Sequence, residues 1–418
     1  MEMKKLITFI TFSILSIMSY GQEITVDEIL SIKEEKVPTY KPEIISGRQL
    51  YLKMVYGSSF ILNASEIKKI VGAKVARVDI VYSDYPQGDQ YPVLTRKRIE
   101  NLKKINSTLF TNKDIEWRLV RQTNCTDPYS AKKLFHGLVI TYRPVQSNSE
   151  IEKEIRYIKD VLSNLKKVSS DEHGLSEIID KEIEFLNDTT ASGSHFPPKY
   201  SPAKYVYPKF KDSTVISILK RNNWINMAIT ADLTGSMSPY TAQLLVWLRL
   251  NTTNDKVKQF VFFNDGDMTL NHQKIIGKTG GIYDTRSSKF EEVEKLAFTT
   301  MRNGSGGDFP ENNIEALLKA IELCSDCNNI ILIADNWAKI KDISLMSQIK
   351  KPIKIILCGV DAGINTDYLD LARATGGSVH IMESDLTELM KLNEGQQITI
   401  RGQTFKIING KFVRISKI

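Results

Sequence analysis

The chain has 418 residues, enough for two or three folded units, and it is 42% hydrophobic, 25% charged and 9% aromatic. That composition excludes collagen-like, low-complexity and wholly disordered chains. Fifty-six Lys and Arg against 49 Asp and Glu give a formal net charge of +7, but no long basic run forms, so no nucleic-acid partner is expected.

Lys4 and Lys5 precede an apolar run from Leu6 to Met18, and Ser19-Tyr20-Gly21 offers a small-x-small cleavage site before Gln22. Residues 1–21 are therefore expected to be a signal peptide, since the run is shorter than the roughly 20 residues of a membrane-spanning helix. A retained N-terminal anchor is the alternative. No later stretch has the length to cross a bilayer, so the mature chain is expected to be exported, to the periplasm or the cell surface.

Residues 22–48 are polar and interrupted by Pro38 and Pro42, which predicts an extended lead-in. Residues 49–145 read as a small α/β domain of unknown role. Lys74–Tyr82, Ile115–Val120 and Leu134–Tyr142 are predicted strands, with Ile115, Trp117 and Leu119 alternating against Glu116 and Arg118. Between the first two, Thr95 is placed to cap a helix carrying Ile99, Leu102, Ile105 and Leu109 on one face. Residues 149–186 carry two helical stripes, Ile151 to Leu165 and Leu175 to Leu186, and 187–210 is a Ser-, Pro- and Tyr-rich linker.

From residue 211 the pattern alternates strand and helix. Met227–Ala231, Val257–Phe263, Asn328–Ala334, Ile353–Val360 and Ser378–Met382 are near-continuous apolar runs. Helices are predicted near Tyr240–Leu250, Glu311–Leu323, Asp342–Ile349 and Thr366–Ala374. Buried strands separated by helices specify a Rossmann-like, doubly wound, mostly parallel sheet. A β meander over 395–418 closes the chain, with Asn409-Gly410 as a hairpin turn.

Ligands in such sheets gather at the carboxyl ends of the strands. Those ends read Asp232-Leu-Thr234-Gly-Ser236-Met237, Asn264-Asp265-Gly-Asp267 and Asp335-Asn336, and a loop before the Glu311 helix supplies Gly304-Ser-Gly-Gly-Asp308. A carboxylate and two hydroxyls at i, i+2 and i+4 form a hard oxygen set suited to Mg²⁺, Mn²⁺ or Ca²⁺. Helix capping by Asp232 and Ser236 is the plainer reading, but it leaves Asp335 unexplained. Asp308-Phe-Pro-Glu311 also fits a capping box. Asp265-Gly266 reads as a hairpin turn into an antiparallel strand, with a rim or second cation at Asp265 or Asp267 as the alternative. Tyr240 and Trp247 are expected to serve packing. For Cys324 and Cys327, which follow a helix, a local disulfide and two free thiols are equally compatible.

Asp232-x-Thr234-x-Ser236, the Gly-rich loop and Asp335 after a buried strand resemble the metal-ion-dependent adhesion site (MIDAS) of von Willebrand factor type A domains. The resemblance covers about residues 211–394, and 262–283 is similar to uncharacterised exported bacterial members of that family. It implies a sheet with one antiparallel strand and a surface divalent cation, Mg²⁺ first. The cation would be held by Asp232, Thr234, Ser236, Asp308 and Asp335, and a protein partner's acidic side chain would complete its coordination. Asp308 departs from the commoner Thr; as a third carboxylate it would leave the site net negative and less attractive to an acidic ligand. The expected function is metal-dependent protein binding in adhesion or envelope assembly, not catalysis. A metal-assisted hydrolase would need a general base, for which Glu311 is the nearest residue. A structural envelope protein with a vestigial site is the other alternative.

Overall fold

A computed structural model of the chain describes residues 23–41, 48–85, 90–112, 115–144, 146–165, 167–168, 204–205, 210–251, 256–269, 273–304, 311–337 and 339–415. The expected signal peptide, the second helical stripe, nearly all of the linker, and Asp308 lie outside the described residues. The described residues fall into two compact units, one within residues 1–41, 49–71 and 75–142 and the other within residues 42–48, 72–74 and 143–418.

In the first unit, β1 (Glu35–Val37), β2 (Arg48–Lys53), β3 (Lys74–Ser83), β4 (Glu116–Gln122) and β5 (Gly137–Arg143) form one sheet in the order β1-β4-β3-β5-β2. Arg48, Lys74 and Arg143, at the strand ends, group with the second unit. Residues 22–48 are not merely a lead-in. They contribute α1 (Val26–Leu30), opened by a capping box of Thr25 and Glu28, and strand β1, which runs parallel to β4. Ile99, Leu102 and Ile105 of the predicted apolar stripe lie on α2 (Gln90–Ile105), the first two fully buried, whereas Leu109 falls in the separate short helix that follows it. Thr95 does not cap it: the helix begins five residues earlier and Thr95 is a buried interior residue. Short helices α3 (Thr108–Thr111) and α4 (Pro128–Lys133) complete the unit.

The second unit opens with α5 (Asn148–Ser163), followed by the short antiparallel pair β6 (Lys167–Val168) and β7 (Lys204–Tyr205). Its main sheet has seven strands: β8 (Met227–Asp232), β9 (Val257–Phe263), β10 (Ile282–Thr285), β11 (Asn329–Asp335), β12 (Ile353–Cys358), β13 (Ser378–Ile381) and β14 (Ser384–Leu386). The order is β10-β9-β8-β11-β12-β13-β14. The inner strands are parallel, and both edges, β10 and β14, are antiparallel, one more than the resemblance implied.

On one face α5 packs with α6 (Thr214–Asn222), α7 (Ser238–Leu250) and α8 (Phe290–Asn303), through Ile155, Leu219, Leu245 and Val293. On the other lie α9 (Asn313–Leu323) and α10 (Thr366–Thr375), with the meander β15 (Gln397–Ile400), β16 (Gln403–Ile408) and β17 (Lys411–Ile415) inserting Phe405 and Phe412. Each fully buried Ile, Leu or Phe contributes about 1.5–3 kcal/mol, so a sheet covered on both faces is strongly driven. The predicted Asn409-Gly410 turn has both residues at positive φ, 52° and 74°. Helix α6 has no counterpart in the sequence reading. Its first N–H groups, at Val215 and Ile216, are satisfied by the buried Gln243 side chain of α7 at 3.0 and 3.3 Å. The predicted helix at Asp342–Ile349 is a 3₁₀ turn, Ile343–Gln348. Among the described residues no helix is long and apolar enough to cross a membrane.

Candidate functional site

β8 and β11 are parallel neighbours, and the chain leaves β8 for β9 on one side before returning to β11 on the other. The gap between their carboxyl ends is thus the topological switch point, where diverging loops open a crevice. Asp232 ends β8 and Asp335 ends β11.

Asp232 is 1% exposed, and its Oδ1 accepts the Thr234 N–H at 2.8 Å, which turns the chain into the Gly235–Met237 3₁₀ turn ahead of α7. Its other oxygen, Oδ2, has no hydrogen-bond partner, and neither has the Thr234 hydroxyl. Asp335 is engaged on both sides. Its Oδ1 accepts the Trp337 N–H at 3.1 Å, and its Oδ2 accepts the Ser236 hydroxyl at 2.6 Å and Arg143 Nη2 at 2.7 Å. Arg143 Nη1 donates to Ser236 Oγ at 2.8 Å, and the guanidinium stacks on the Trp337 ring at 3.6 Å.

Glu311 is a third buried carboxyl, joined to Ile340 by a β-bridge, and its Oε2 also lacks a partner. Burial, then the charges of Asp232 and Asp265, hold it well above the usual carboxylate range. Burial pushes Asp232 up to about 7, with Asp335 adding to the rise and the Thr234 N–H opposing it. The Lys74 ammonium is lowered by its own burial, an effect Glu311 and Asp265 partly offset. The site thus carries unsatisfied oxygen acceptors in a water-poor setting, where a bare negative charge is costly.

That chemistry fits a hard divalent cation. Asp232 Oδ2 and Thr234 Oγ1 are open to it, whereas Ser236 Oγ and Asp335 Oδ2 are held by Arg143. Among the described residues no three His, Cys, Asp or Glu side chains converge on one point, so the described donor set is two carboxylates with two hydroxyls.

The loop after β9 is built differently. Asp265 and Asp267 both have positive φ, 68° and 57°. Asp265 is fully buried and ion-paired with Lys274 at 3.3 Å, while Asp267 accepts Asn264 Nδ2 at 2.9 Å and the Tyr283 hydroxyl at 2.7 Å. These carboxylates serve the chain's own donors. The loop is not a tight hairpin, since it runs over residues 264–281 before β10 begins. Asn264 is wedged between two glycines: a Cβ on Gly281 would lie 2.1 Å from Asn264 Oδ1, and one on Gly304 would lie 2.5 Å from Asn264 Cβ.

Glu311 does not close a capping box on the following helix. Helix α9 starts at Asn313, and its first N–H groups, of Ile314 and Glu315, go to Asp342 at 3.0 and 2.6 Å. Tyr240 donates to Asp212 at 2.7 Å and Trp247 is buried. Cys324 and Cys327 form a disulfide just after α9.

The site residues missing from the sequence reading are Arg143 and Lys74. No local pattern marks them: Arg143 lies 93 residues from Ser236 and 192 from Asp335. A strand-terminal arginine carries no signal of its own. Comparison with family models, curated proteins and solved structures yields no match.

Proposed function

We propose that residues 211–394 form a von Willebrand factor type A-like module that binds a protein partner through a divalent cation, Mg²⁺ first. The carrying observation is that Asp232 Oδ2 and Thr234 Oγ1 are buried without partners at the switch point, beside Asp335. Asp232, Thr234, Ser236 and Asp335 would hold the ion, with Asp308 as a further candidate. When bound, the cation supplies a Lewis-acidic point that an acidic side chain of the partner can complete. The N-terminal pattern supports export to the periplasm or cell surface.

Calorimetric titration of the mature chain with Mg²⁺, Mn²⁺ and Ca²⁺ tests this reading, together with melting curves, because a ligand of the folded state raises the melting temperature. The expected result is one site, lost in Asp232→Ala. No heat and no shift at millimolar concentrations of all three ions would sink it.

One observation favours a structural site instead. Arg143 already bonds Ser236 and Asp335, as in a salt bridge that needs no metal. That reading predicts that EDTA leaves partner capture and stability unchanged. A hydrolase is less well supported, because Glu311, the nearest base, is only 4% exposed.

A further inference from the structure

We infer that Arg143 is a built-in competitor for the cation: its guanidinium must leave Ser236 and Asp335 before a divalent ion can take the full donor set. The inference rests on the metal-binding reading above and concerns how that site is controlled.

Three observations carry it. First, Arg143 is bonded to the same two oxygens that complete the proposed ligand set, Ser236 Oγ at 2.8 Å and Asp335 Oδ2 at 2.7 Å. A divalent ion drawn to those oxygens would face the guanidinium's positive charge at close range, which is strongly repulsive. Second, Arg143 satisfies only half of the site. Asp232 Oδ2 and Thr234 Oγ1 remain without partners, so the guanidinium neutralises the Asp335 side and leaves the Asp232 side wanting a cation. A site meant to be closed permanently by arginine would not strand a buried carboxylate oxygen and a hydroxyl.

Third, the arginine is seated. Trp337 stacks under it at 3.6 Å, and the Trp337 N–H is itself bonded to Asp335 Oδ1 at 3.1 Å. Three residues on, Gln146 lies over the metal-loop glycine: a Cβ on Gly235 would come within 2.1 Å of Gln146 Nε2. Gln146 is in turn bonded to Glu154 of α5, whose Ile151, Ile155 and Ile158 are buried in the unit's core. Arg143 and Gln146 thus both lie against the Thr234–Ser236 turn, Gln146 held by α5 and Arg143 by the Asp335–Trp337 pair. Metal affinity in the intact chain would be the intrinsic affinity reduced by the cost of lifting Arg143.

Calorimetric titration of mature wild type and Arg143→Gln with Mn²⁺ and Mg²⁺ tests the inference. The expected result is an affinity about 10- to 100-fold higher in Arg143→Gln, the range set by losing the charge-assisted hydrogen bonds of a partly buried ion pair. A second variant, Trp337→Leu, keeps the arginine but removes its platform, and should bind metal more tightly than wild type by a smaller factor. It also serves if Arg143→Gln fails to fold. Equal or weaker affinity in the folded variants would overturn the competitor role and leave the metal site standing. Absence of binding in wild type and in both cooperatively melting variants would overturn the metal reading itself.

Discussion

Asp342 accepts the backbone N–H of Glu315 at 2.6 Å, capping α9 from a segment that follows it by a whole strand. The same carboxylate takes the Ile314 N–H at 3.0 Å, and it is fully buried. Removing it strands two buried donors. Asp342→Ala should therefore cost about 2 kcal/mol or more in urea unfolding, and Asp342→Asn, which keeps an acceptor, appreciably less. Equal costs would show that the cap bonds contribute little.

Asp232 predicts an unusual pH dependence. Its folded pKa, about 7, is raised above the unfolded value near 3.9, so the neutral acid is the form the metal-free fold accommodates. That contribution to stability is fully present below the unfolded pKa and is lost as pH rises through about 7. Metal-free protein should thus lose stability between about pH 4 and 8. Asp232→Asn should flatten that slope, and Mg²⁺ should offset it only in wild type. Denaturant midpoints across pH, with and without EDTA, give the comparison; a slope unchanged in Asp232→Asn would refute the assignment.

His380 acts in the opposite sense. Its Nε2 meets the Ser378 hydroxyl at 2.7 Å and its Nδ1 meets Asp385 Oδ1 at 2.7 Å, while Trp224 packs edge-on at 4.8 Å. Burial lowers its pKa; Asp385 opposes that, and Lys354 and Arg221 reinforce it. A lowered folded pKa means stability is present above the unfolded value of about 6.5 and is lost as pH falls through the folded one. His380→Gln should remove this acid-side loss. The spacing resembles a catalytic triad, but Ser378 and His380 are only 6% and 2% exposed. A fluorophosphonate probe should therefore leave Ser378 unlabelled; labelling abolished by Ser378→Ala would reverse the conclusion.

Gly277 and Gly281 form a controlled pair. Both have positive φ, 88° and 65°, so Ala at either costs about 1–2 kcal/mol of backbone strain. Only at Gly281 would the new Cβ also meet a wall, Asn264 Oδ1 at 2.1 Å and the Gly266 backbone nitrogen at 2.5 Å. Gly281→Ala should therefore destabilise the unit by several times as much as Gly277→Ala. Similar melting temperatures for the two variants would show that the Asn264 wedge yields easily.

Periodicity alone determined most of the second unit's architecture. Met227–Asp232 and Asn329–Asp335 are almost wholly apolar because both faces of a parallel sheet are covered, and that pattern is local and strong. For the same reason the Asp232-Thr234-Ser236 turn and the Asp335 strand end could both be read as carboxyl ends of buried strands, on one edge of the sheet. What tertiary structure alone decided is which distant groups meet. Arg143 reaches Asp335, Asp342 caps α9, and Gln243 caps α6. None of these contacts has a period or a spacing. Each is a single side chain satisfying a buried charge or N–H from far along the chain, a demand visible only once packing has removed the water that would otherwise have met it.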